Sequence, residues 1–330
     1  MDKEQKVAVL LYGFLRTAEI TAGSLLNNIV IPNNADIFYF GPDSSDSPLK
    51  IHQGILDKSG FLKINPKNDA HEVAGGVATR LEKNYGRHLT SYKLHDRNFD
   101  HFNNEASFID KNQWLFSLNP ARFFSMFYNI HGVFKLMKEF ESQNDFKYDK
   151  VIITRPDLSF YSKFNLKNIR EGFVYIPSGV DFCQHTGNRN HGLAKVLAYR
   201  NRSTGKMIPT NVGFNDQLLV FSRNSSELIE SFLPNLKDYI TQKVPLTPET
   251  LLYFHLVACG GLKVKYTDDW PYEIVRSDAG TITTVTDLMI LDIIDRYHPI
   301  VQARIKKRPI KYLLKFGRMR MRALKNKYFN

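Results

Sequence analysis

The sequence has few cysteines and lacks a long apolar run. Cys183 and Cys259 are its two cysteines, they lie far apart, and no CxxC pattern is present. This argues against a disulfide framework and indicates free thiols in a reducing compartment. Because no run of about 18 apolar residues occurs and the polar residues 1–6 lead straight into a strand-like segment, we predict neither a transmembrane helix nor a signal peptide. We therefore expect a cytoplasmic protein.

Acidic residues are absent from the C-terminal end of the chain. From Tyr297 onward there are eleven lysines and arginines and no aspartate or glutamate, so this segment accounts for nearly all of the formal net charge of +12. After Pro309, apolar residues recur on one helical face among these cations, which is typical of a basic amphipathic helix on an anionic membrane surface. Nucleic acid and a solvated disordered tail are the alternatives. The apolar spacing favours the membrane, and no nucleic-acid partner is expected.

The first residues predict a strand, a helix and a second strand. Val7–Tyr12 is a continuous apolar run that ends at Gly13, as in a strand buried on both faces. Residues 17–30 have helical character with Thr17 as the expected cap, and residues 35–40 form a second apolar run closed by Gly41. The order and lengths predict a βαβ unit. Residues 44–119 are polar and mixed, and we interpret them as an elaborated connection.

The second half continues the alternation of strands and helices, which favours an α/β fold. A long helix is predicted over 119–141, followed by a buried strand over 148–160 and a polar loop over 178–213. The further predicted strands are 172–177, 218–222 and 262–266, and the further predicted helices are 225–241, 248–259 and 285–296.

A candidate functional site is indicated at the carboxyl end of the strand predicted over 148–160, where the sequence becomes polar. Strand alternation would place Ile153, Arg155, Asp157 and Ser159 on one side. Pro156 cannot donate a ladder hydrogen bond, so regular pairing is expected to end there. A carboxylate at the carboxyl end of a strand suits a divalent cation that bridges a diphosphate. The alternative is an Arg–Asp ion pair that only terminates the strand.

Several short motifs together resemble a known family. They are Gly13-Phe-Leu-Arg16, Ala35-Asp-Ile-Phe38, Tyr148-Asp-Lys-Val151, Arg155-Pro-Asp-Leu158, Asn215-Asp-Gln217, Pro248-Glu-Thr-Leu-Leu252 and His255-Leu256. Their order along residues 6–276 resembles that of bacterial lipopolysaccharide and capsule synthesis glycosyltransferases of the WavE-like kind.

The resemblance implies a GT-A-like (Rossmann-like) α/β/α sandwich with a mostly parallel central sheet. It further implies transfer of a sugar from a nucleotide diphosphate sugar to a surface polysaccharide or lipopolysaccharide acceptor. Asp157 would take the place of the metal-binding acidic motif, with Mn²⁺ or Mg²⁺ as the cofactor, although Ser159 stands where a second carboxylate is often found. The implied substrate-binding residues are Gly13, Arg16, Arg155 and Asn215.

An inverting transferase also needs a base for the acceptor hydroxyl. Asp216 and Glu249 are the candidate catalytic residues, because one lies beside the expected strand edge and the other at a helix start. The alternatives are an Asn-Asp turn for Asp216 and a helix-dipole partner for Glu249. The loop residues Asp181, Cys183, His185 and His191 have spacing that matches no closed zinc site, and residues 268–270 favour a turn.

The sequence thus predicts a catalytic domain over residues 1–298 and a membrane-docking tail over residues 299–330. We expect the protein on the inner face of the plasma membrane, acting on a lipid-linked or lipopolysaccharide glycan. A non-catalytic sugar- or polyanion-binding protein that retains the fold is the alternative.

Overall fold

The computed structural model describes most of the chain up to residue 284. The described residues are 5–44, 76–96, 98–111, 119–177, 194–195, 199–200, 207–208, 212–213, 216–267, 269–270, 272–278 and 281–284. The strands are β1 Val7–Tyr12, β2 Ala35–Pro42, β3 Leu89–His95, β4 Lys150–Thr154, β5 Leu158–Phe160, β6 Phe173–Pro177, β7 Ala194–Lys195, β8 Tyr199–Arg200, β9 Met207–Ile208, β10 Val212–Gly213, β11 Leu218–Ser222, β12 Lys263–Thr267, β13 Tyr272–Asp278 and β14 Thr281–Thr284. The α-helices are α1 Ala18–Leu25, α2 Val77–Tyr85, α3 Phe99–Glu105, α4 Ala121–Gln143, α5 Arg223–Ser226, α6 Leu228–Thr241 and α7 Pro248–Tyr253.

Seven strands form the central sheet in the order β12-β6-β11-β4-β1-β2-β3. Neighbouring strands are parallel except for β11, which is antiparallel to both β4 and β6. The predicted α/β fold with a mostly parallel sheet is therefore confirmed. Strand β1 lies between β2 and β4, so the chain leaves β1 to one side and later returns to its other side. This reversal makes the carboxyl ends of β1 and β4 a topological switch point, where open α/β sheets hold ligands.

The central sheet is buried on both faces, which explains the continuous apolar run of β1. Val7, Val9 and Leu11 pack in the core on the side of α1, and Leu10 and Tyr12 pack in the core on the side of α4. The helix predicted over 119–141 is confirmed as α4, and its phenylalanines fill that second core.

The strand predicted over 148–160 is wrong as a single element. Strand β4 ends at Thr154, and β5 starts at Leu158 and pairs with β13 in a separate three-stranded sheet. Arg155, Pro156 and Asp157 lie between them and are not part of either strand. Strand alternation therefore does not place their side chains. The predicted end of regular pairing at Pro156 is confirmed.

Other differences occur where local signals are weak. The polar stretch 44–119 contains β3, an edge strand whose residues are mostly half-buried and therefore lack a clear apolar pattern. Thr17 makes no side-chain cap bond to α1, whereas Thr247 caps α7 as predicted by accepting from the Thr250 amide. The predicted helix over 285–296 and the basic tail lie outside the described residues. Among those described, no helix has the length and apolar character needed to cross a membrane.

Close packing of α4 on β2 makes Gly132 sensitive to substitution. A Cβ added at Gly132 would lie 2.6 Å from three ring atoms of Phe40, so we expect Gly132→Ala to lower the free energy of unfolding by about 1–3 kcal/mol. Gly23 in α1 is the matched control, since no described atom lies within 4 Å of a Cβ built there. Gly23→Ala should instead raise stability by up to about 1 kcal/mol. Urea denaturation of both variants checks the opposite signs, and equal shifts would contradict them.

His255 makes stability dependent on pH. It is buried, its Nδ1 lies 2.7 Å from the Tyr239 hydroxyl, and its Nε2 lies 2.6 Å from the Leu228 carbonyl oxygen. Burial lowers the pKa of His255, and the bond to Leu228 only partly opposes it. The unfolded state therefore binds more protons, and the contribution to stability is complete above the unfolded pKa of about 6.5 and is lost as pH falls below it.

We expect the free energy of unfolding to decrease below this pH by up to about 1.4 kcal/mol per pH unit for this group. His255→Gln should reduce the slope, measured by urea denaturation across this range. His131, whose pKa burial also lowers, should leave a remaining dependence. An unchanged slope in His255→Gln would show that this imidazole does not titrate on unfolding.

Candidate functional site

The candidate site lies at the carboxyl ends of β1 and β4. The loop after β1 begins at Gly13, whose φ of +85° suits glycine. Its amide donates to the Phe40 carbonyl oxygen at 3.0 Å, and its carbonyl oxygen accepts from the Tyr39 hydroxyl at 2.6 Å. The loop is thereby fixed against the neighbouring strand β2.

Arg16 ends this loop in an unusual backbone conformation. Its φ is +47°, a left-handed value that is uncommon for a residue with a side chain. The carbonyl oxygen of Arg16 accepts from Nη2 of Arg80 at 2.8 Å, and Arg80 also binds Glu19 through Nε at 2.6 Å. Helices α1 and α2 thus hold the backbone that aims the Arg16 side chain at the site.

The Asp157 carboxylate joins the two loops. Its side chain is 0% exposed, and its Oδ2 accepts from Nη1 of Arg16 at 2.9 Å. Arg155 binds the same carboxylate in a bidentate manner, with Nε 3.0 Å from Oδ1 and Nη2 2.7 Å from Oδ2. Such paired charge-assisted bonds offset the desolvation of a buried carboxylate. The turn that presents Asp157 is tied to α1, because the Thr21 hydroxyl donates to the Pro156 carbonyl oxygen.

Arg155 remains a cation at every accessible pH. Burial acts to lower the pKa of its guanidinium, but the charge of Asp157 and the hydrogen bonds to it outweigh burial and raise the pKa. The Arg155 side chain is 18% exposed, and within the described part of the chain its Nη1 makes no hydrogen bond. A ligand at this edge can therefore reach a fixed cationic donor.

Asp216 lies at the same edge, immediately before β11. Its carbonyl oxygen accepts from the Tyr12 hydroxyl at 2.8 Å. Burial raises the pKa of Tyr12, and the negative charge of Asp216 raises it further. The Asp216 charge also raises the pKa of Arg155. Next to it, the Gln217 side-chain oxygen accepts from the Tyr272 hydroxyl at 2.9 Å. The segment is thus held between two tyrosines, with the Asp216 carboxylate close to Arg155.

Arg122, an exposed residue in the first turn of α4, adds a further positive charge. Desolvation lowers its pKa, and the like charge of Arg16 lowers it further, so the two guanidiniums are close enough to repel. We call Arg16, Arg80, Arg122 and Arg155 the arginine cluster. Within the described part of the chain, three carboxylates lie beside these four guanidiniums, those of Glu19, Asp157 and Asp216. The excess of positive charge favours an anionic ligand.

No protein-family model matches the chain, and no curated protein is significantly similar to it. The chemistry of the site is therefore argued from its own residues.

The donor set around Asp157 does not fit a divalent cation. Hard cations need several oxygen ligands, whereas both Asp157 oxygens already accept from guanidiniums. A cation there would also face two like charges, and a pair of unit charges about 4 Å apart repels by about 4 kcal/mol at an effective dielectric constant of 20. Within the described residues, no three acidic, histidine or cysteine side chains are placed to share a metal ion.

The structure brings together most of the residues predicted from the sequence. Gly13, Arg16, Arg155 and Asp157 meet at one edge, and Asp216 joins them. Glu249 is placed in the first turn of α7, whose buried leucines pack in the core on the side of α4. Asn215 and the loop residues 181–191 lie outside the described residues. Asp269 forms the turn expected after β12, since its amide donates to the Thr267 hydroxyl at 3.1 Å.

Sequence reasoning missed three members of the site. Tyr12 could have been noticed as the last residue of an apolar strand, with a hydroxyl at the end of its ring, and Arg122 as a cation in the first turn of the helix predicted over 119–141. Arg80 gave no signal, because it lies in the polar stretch 44–119, which was interpreted as an elaborated connection.

Proposed function

We propose that the protein is a glycosyltransferase that moves a sugar from a nucleotide diphosphate sugar to a surface polysaccharide or lipopolysaccharide acceptor. The observation that carries this proposal is the excess of guanidinium charge at the switch point between β1 and β4. A diphosphate is the anion that such a crevice, with cations on both of its loops, suits best.

The strand order supports a GT-A-like fold for this transferase. Four parallel strands, β3, β2, β1 and β4, continue into the single reversed strand β11 and then into β6 and β12. This is the arrangement we expect of that fold, with the donor at the carboxyl ends of the first strands. The motifs Gly13-Phe-Leu-Arg16 and Arg155-Pro-Asp-Leu158, which carry the resemblance to WavE-like enzymes, are the same segments that meet there.

The chemical demand of the reaction fits the residues of the site. Departure of the diphosphate develops negative charge, which fixed cationic donors stabilise without reorganising during the reaction. Arg16 and Arg155 are the anchored donors, and Arg122 is the exposed one. Asp216 is the candidate base for the acceptor hydroxyl, because it is half-buried and lies beside Arg155. Glu249 is the alternative base.

The basic tail supports the proposed acceptor and cellular location. The eleven cations after Tyr297 favour docking on an anionic inner leaflet, at about 1 kcal/mol per Lys or Arg near the surface. We therefore propose a peripheral protein on the cytoplasmic face of the plasma membrane, where lipid-linked glycans are available as acceptors.

A non-catalytic sugar- or polyanion-binding protein is the second candidate. The observation that favours it is the engagement of Asp157 by two arginines, since a site without a metal ligand at this position can bind an anion and perform no chemistry. The transferase must bind a nucleotide diphosphate sugar, whereas the binding protein need not. They differ in turnover, because a binding protein releases no nucleoside diphosphate.

The experiment is a thermal-shift screen of the purified full chain against common nucleotide diphosphate sugars, with and without Mn²⁺ and Mg²⁺, followed by a nucleoside diphosphate release assay on each stabilising donor. We expect one donor to stabilise selectively and to be turned over. Asp216→Asn should keep the shift and lose turnover if Asp216 is the base. Stabilisation without turnover by the wild type supports the binding protein, and the absence of any shift rejects the transferase and its donor site.

A further inference from the structure

The surroundings of Asp157 give this carboxylate a role other than metal binding. We infer that Asp157 is a positioning residue that holds Arg16 and Arg155 together as the anchor for a diphosphate, and that diphosphate binding at this edge needs no divalent cation. The choice of a diphosphate rests on the proposed function. The role of Asp157 rests on geometry alone.

The first argument is how Asp157 is bonded. Its carboxylate is fully buried, and among the described residues it accepts one hydrogen bond from Arg16 and two from Arg155. A metal ion would have to displace these bonds and then remain beside both cations. The Asp157 carboxylate therefore holds the two arginine side chains in place and does not bind a metal ion.

The second argument is where the arginines can bind. Arg155 uses Nε and Nη2 for Asp157, and its Nη1, which has no hydrogen bond among the described residues, remains as a donor for a ligand. Arg16 is 32% exposed, so its guanidinium is held by Asp157 and still reaches solvent. Two donors fixed by one carboxylate suit two linked phosphoryl groups better than a single phosphate.

The third argument is the excess of positive charge on the solvent-exposed side of the site. Burial lowers the pKa of Arg122, and the positive charge of Arg16 lowers it further, so the two guanidiniums lie close to each other. An anion between them relieves this repulsion, whereas a divalent cation adds to it. Cation-independent binding therefore follows from the charges of the chain itself.

The test uses the full chain with inorganic pyrophosphate and inorganic phosphate as probes, by isothermal titration calorimetry in EDTA and in Mg²⁺ or Mn²⁺. Pyrophosphate should bind the wild type in EDTA, and Arg16→Ala should weaken it about 10-fold. Asp157→Asn should lower the preference for pyrophosphate over phosphate because the two arginines lose their fixed geometry. The positive charge gained in this variant would by itself favour the more highly charged pyrophosphate, so a lower preference cannot come from net charge. Lys237→Ala and Glu105→Gln, an exposed ion pair elsewhere, are the charge-matched controls and should change neither quantity.

Electron paramagnetic resonance of Mn²⁺ decides the role of Asp157 directly. We expect no bound Mn²⁺ that depends on Asp157. Pyrophosphate binding that is absent in EDTA and restored by Mn²⁺, with bound Mn²⁺ lost in Asp157→Asn, overturns the inference. If Asp157→Asn does not fold, the pyrophosphate titrations of the wild type and of Arg16→Ala, with and without metal, test the inference by themselves. Pyrophosphate bound without metal, together with no nucleotide-sugar turnover, rejects the transferase and leaves the diphosphate anchor standing.

Discussion

Glu141→Ala is expected to lower the free energy of unfolding by about 3 kcal/mol or more, because it leaves a buried cation without its main partner. Arg223 donates to the two Glu141 oxygens through Nε at 2.7 Å and Nη2 at 2.6 Å, and the side chains are only 4% and 5% exposed. The Tyr148 amide also donates to Glu141 at 2.9 Å. Glu227 still pairs with Arg223, which places the effect at the lower end of the range for broken buried pairs.

Urea denaturation measures this change, with Glu230→Ala as the matched control. Glu230 pairs with Lys138, but its side chain is 46% exposed, so its loss should cost less than about 1 kcal/mol. Replacing both members of the buried pair, as in Glu141→Leu with Arg223→Met, should recover part of the loss because no unpaired charge remains. Equal effects of Glu141→Ala and Glu230→Ala would show that burial does not set the cost.

The fold was predictable where strands are buried on both faces. Strand β1 and strand β11 have continuous apolar sequences because both sides of each strand meet a core. The prediction of one strand over 148–160 was wrong because the sequence is apolar both before and after residues 155–157. The two apolar segments, β4 and β5, belong to different sheets. Strand β3 was missed because an edge strand with polar Ser91 and Lys93 needs no apolar alternation.

The site was predictable to the extent that it is built from the ends of strands. Arg16, Arg155 and Asp157 follow β1 and β4, and parallel neighbours bring such residues to one edge. The ion pair between Arg155 and Asp157 was the alternative that the sequence left open, whereas the engagement of the same carboxylate by Arg16 was not predicted. The bidentate pairing of Arg155 with Asp157 depends on the turn at Pro156. Arg80 and Arg122 come from helices distant in sequence, so only the tertiary structure joins them to the site.

The second large effect is expected at Arg16. If the proposed transferase function is correct, Arg16→Ala should lower kcat by about 10²-fold or more, which is the usual cost of removing one fixed donor to a developing negative charge. Stability should change little, because the Arg16 side chain is 32% exposed and Arg155 remains to satisfy Asp157. Steady-state release of nucleoside diphosphate measures the effect, and Lys237→Ala, which removes one distant exposed charge, is the control.

Arg16→Lys separates charge from geometry at the same position. Lysine keeps the cation but cannot span Asp157 and a phosphate with one planar group, so we expect a rate between those of the wild type and Arg16→Ala. A rise in KM with kcat unchanged would mean that Arg16 binds donor and transition state equally, and the proposed stabilisation of the leaving group would be wrong. A loss of kcat in Arg16→Ala that Arg16→Lys restores only in part would show that the positive charge and the planar guanidinium held against Asp157 both contribute to the rate.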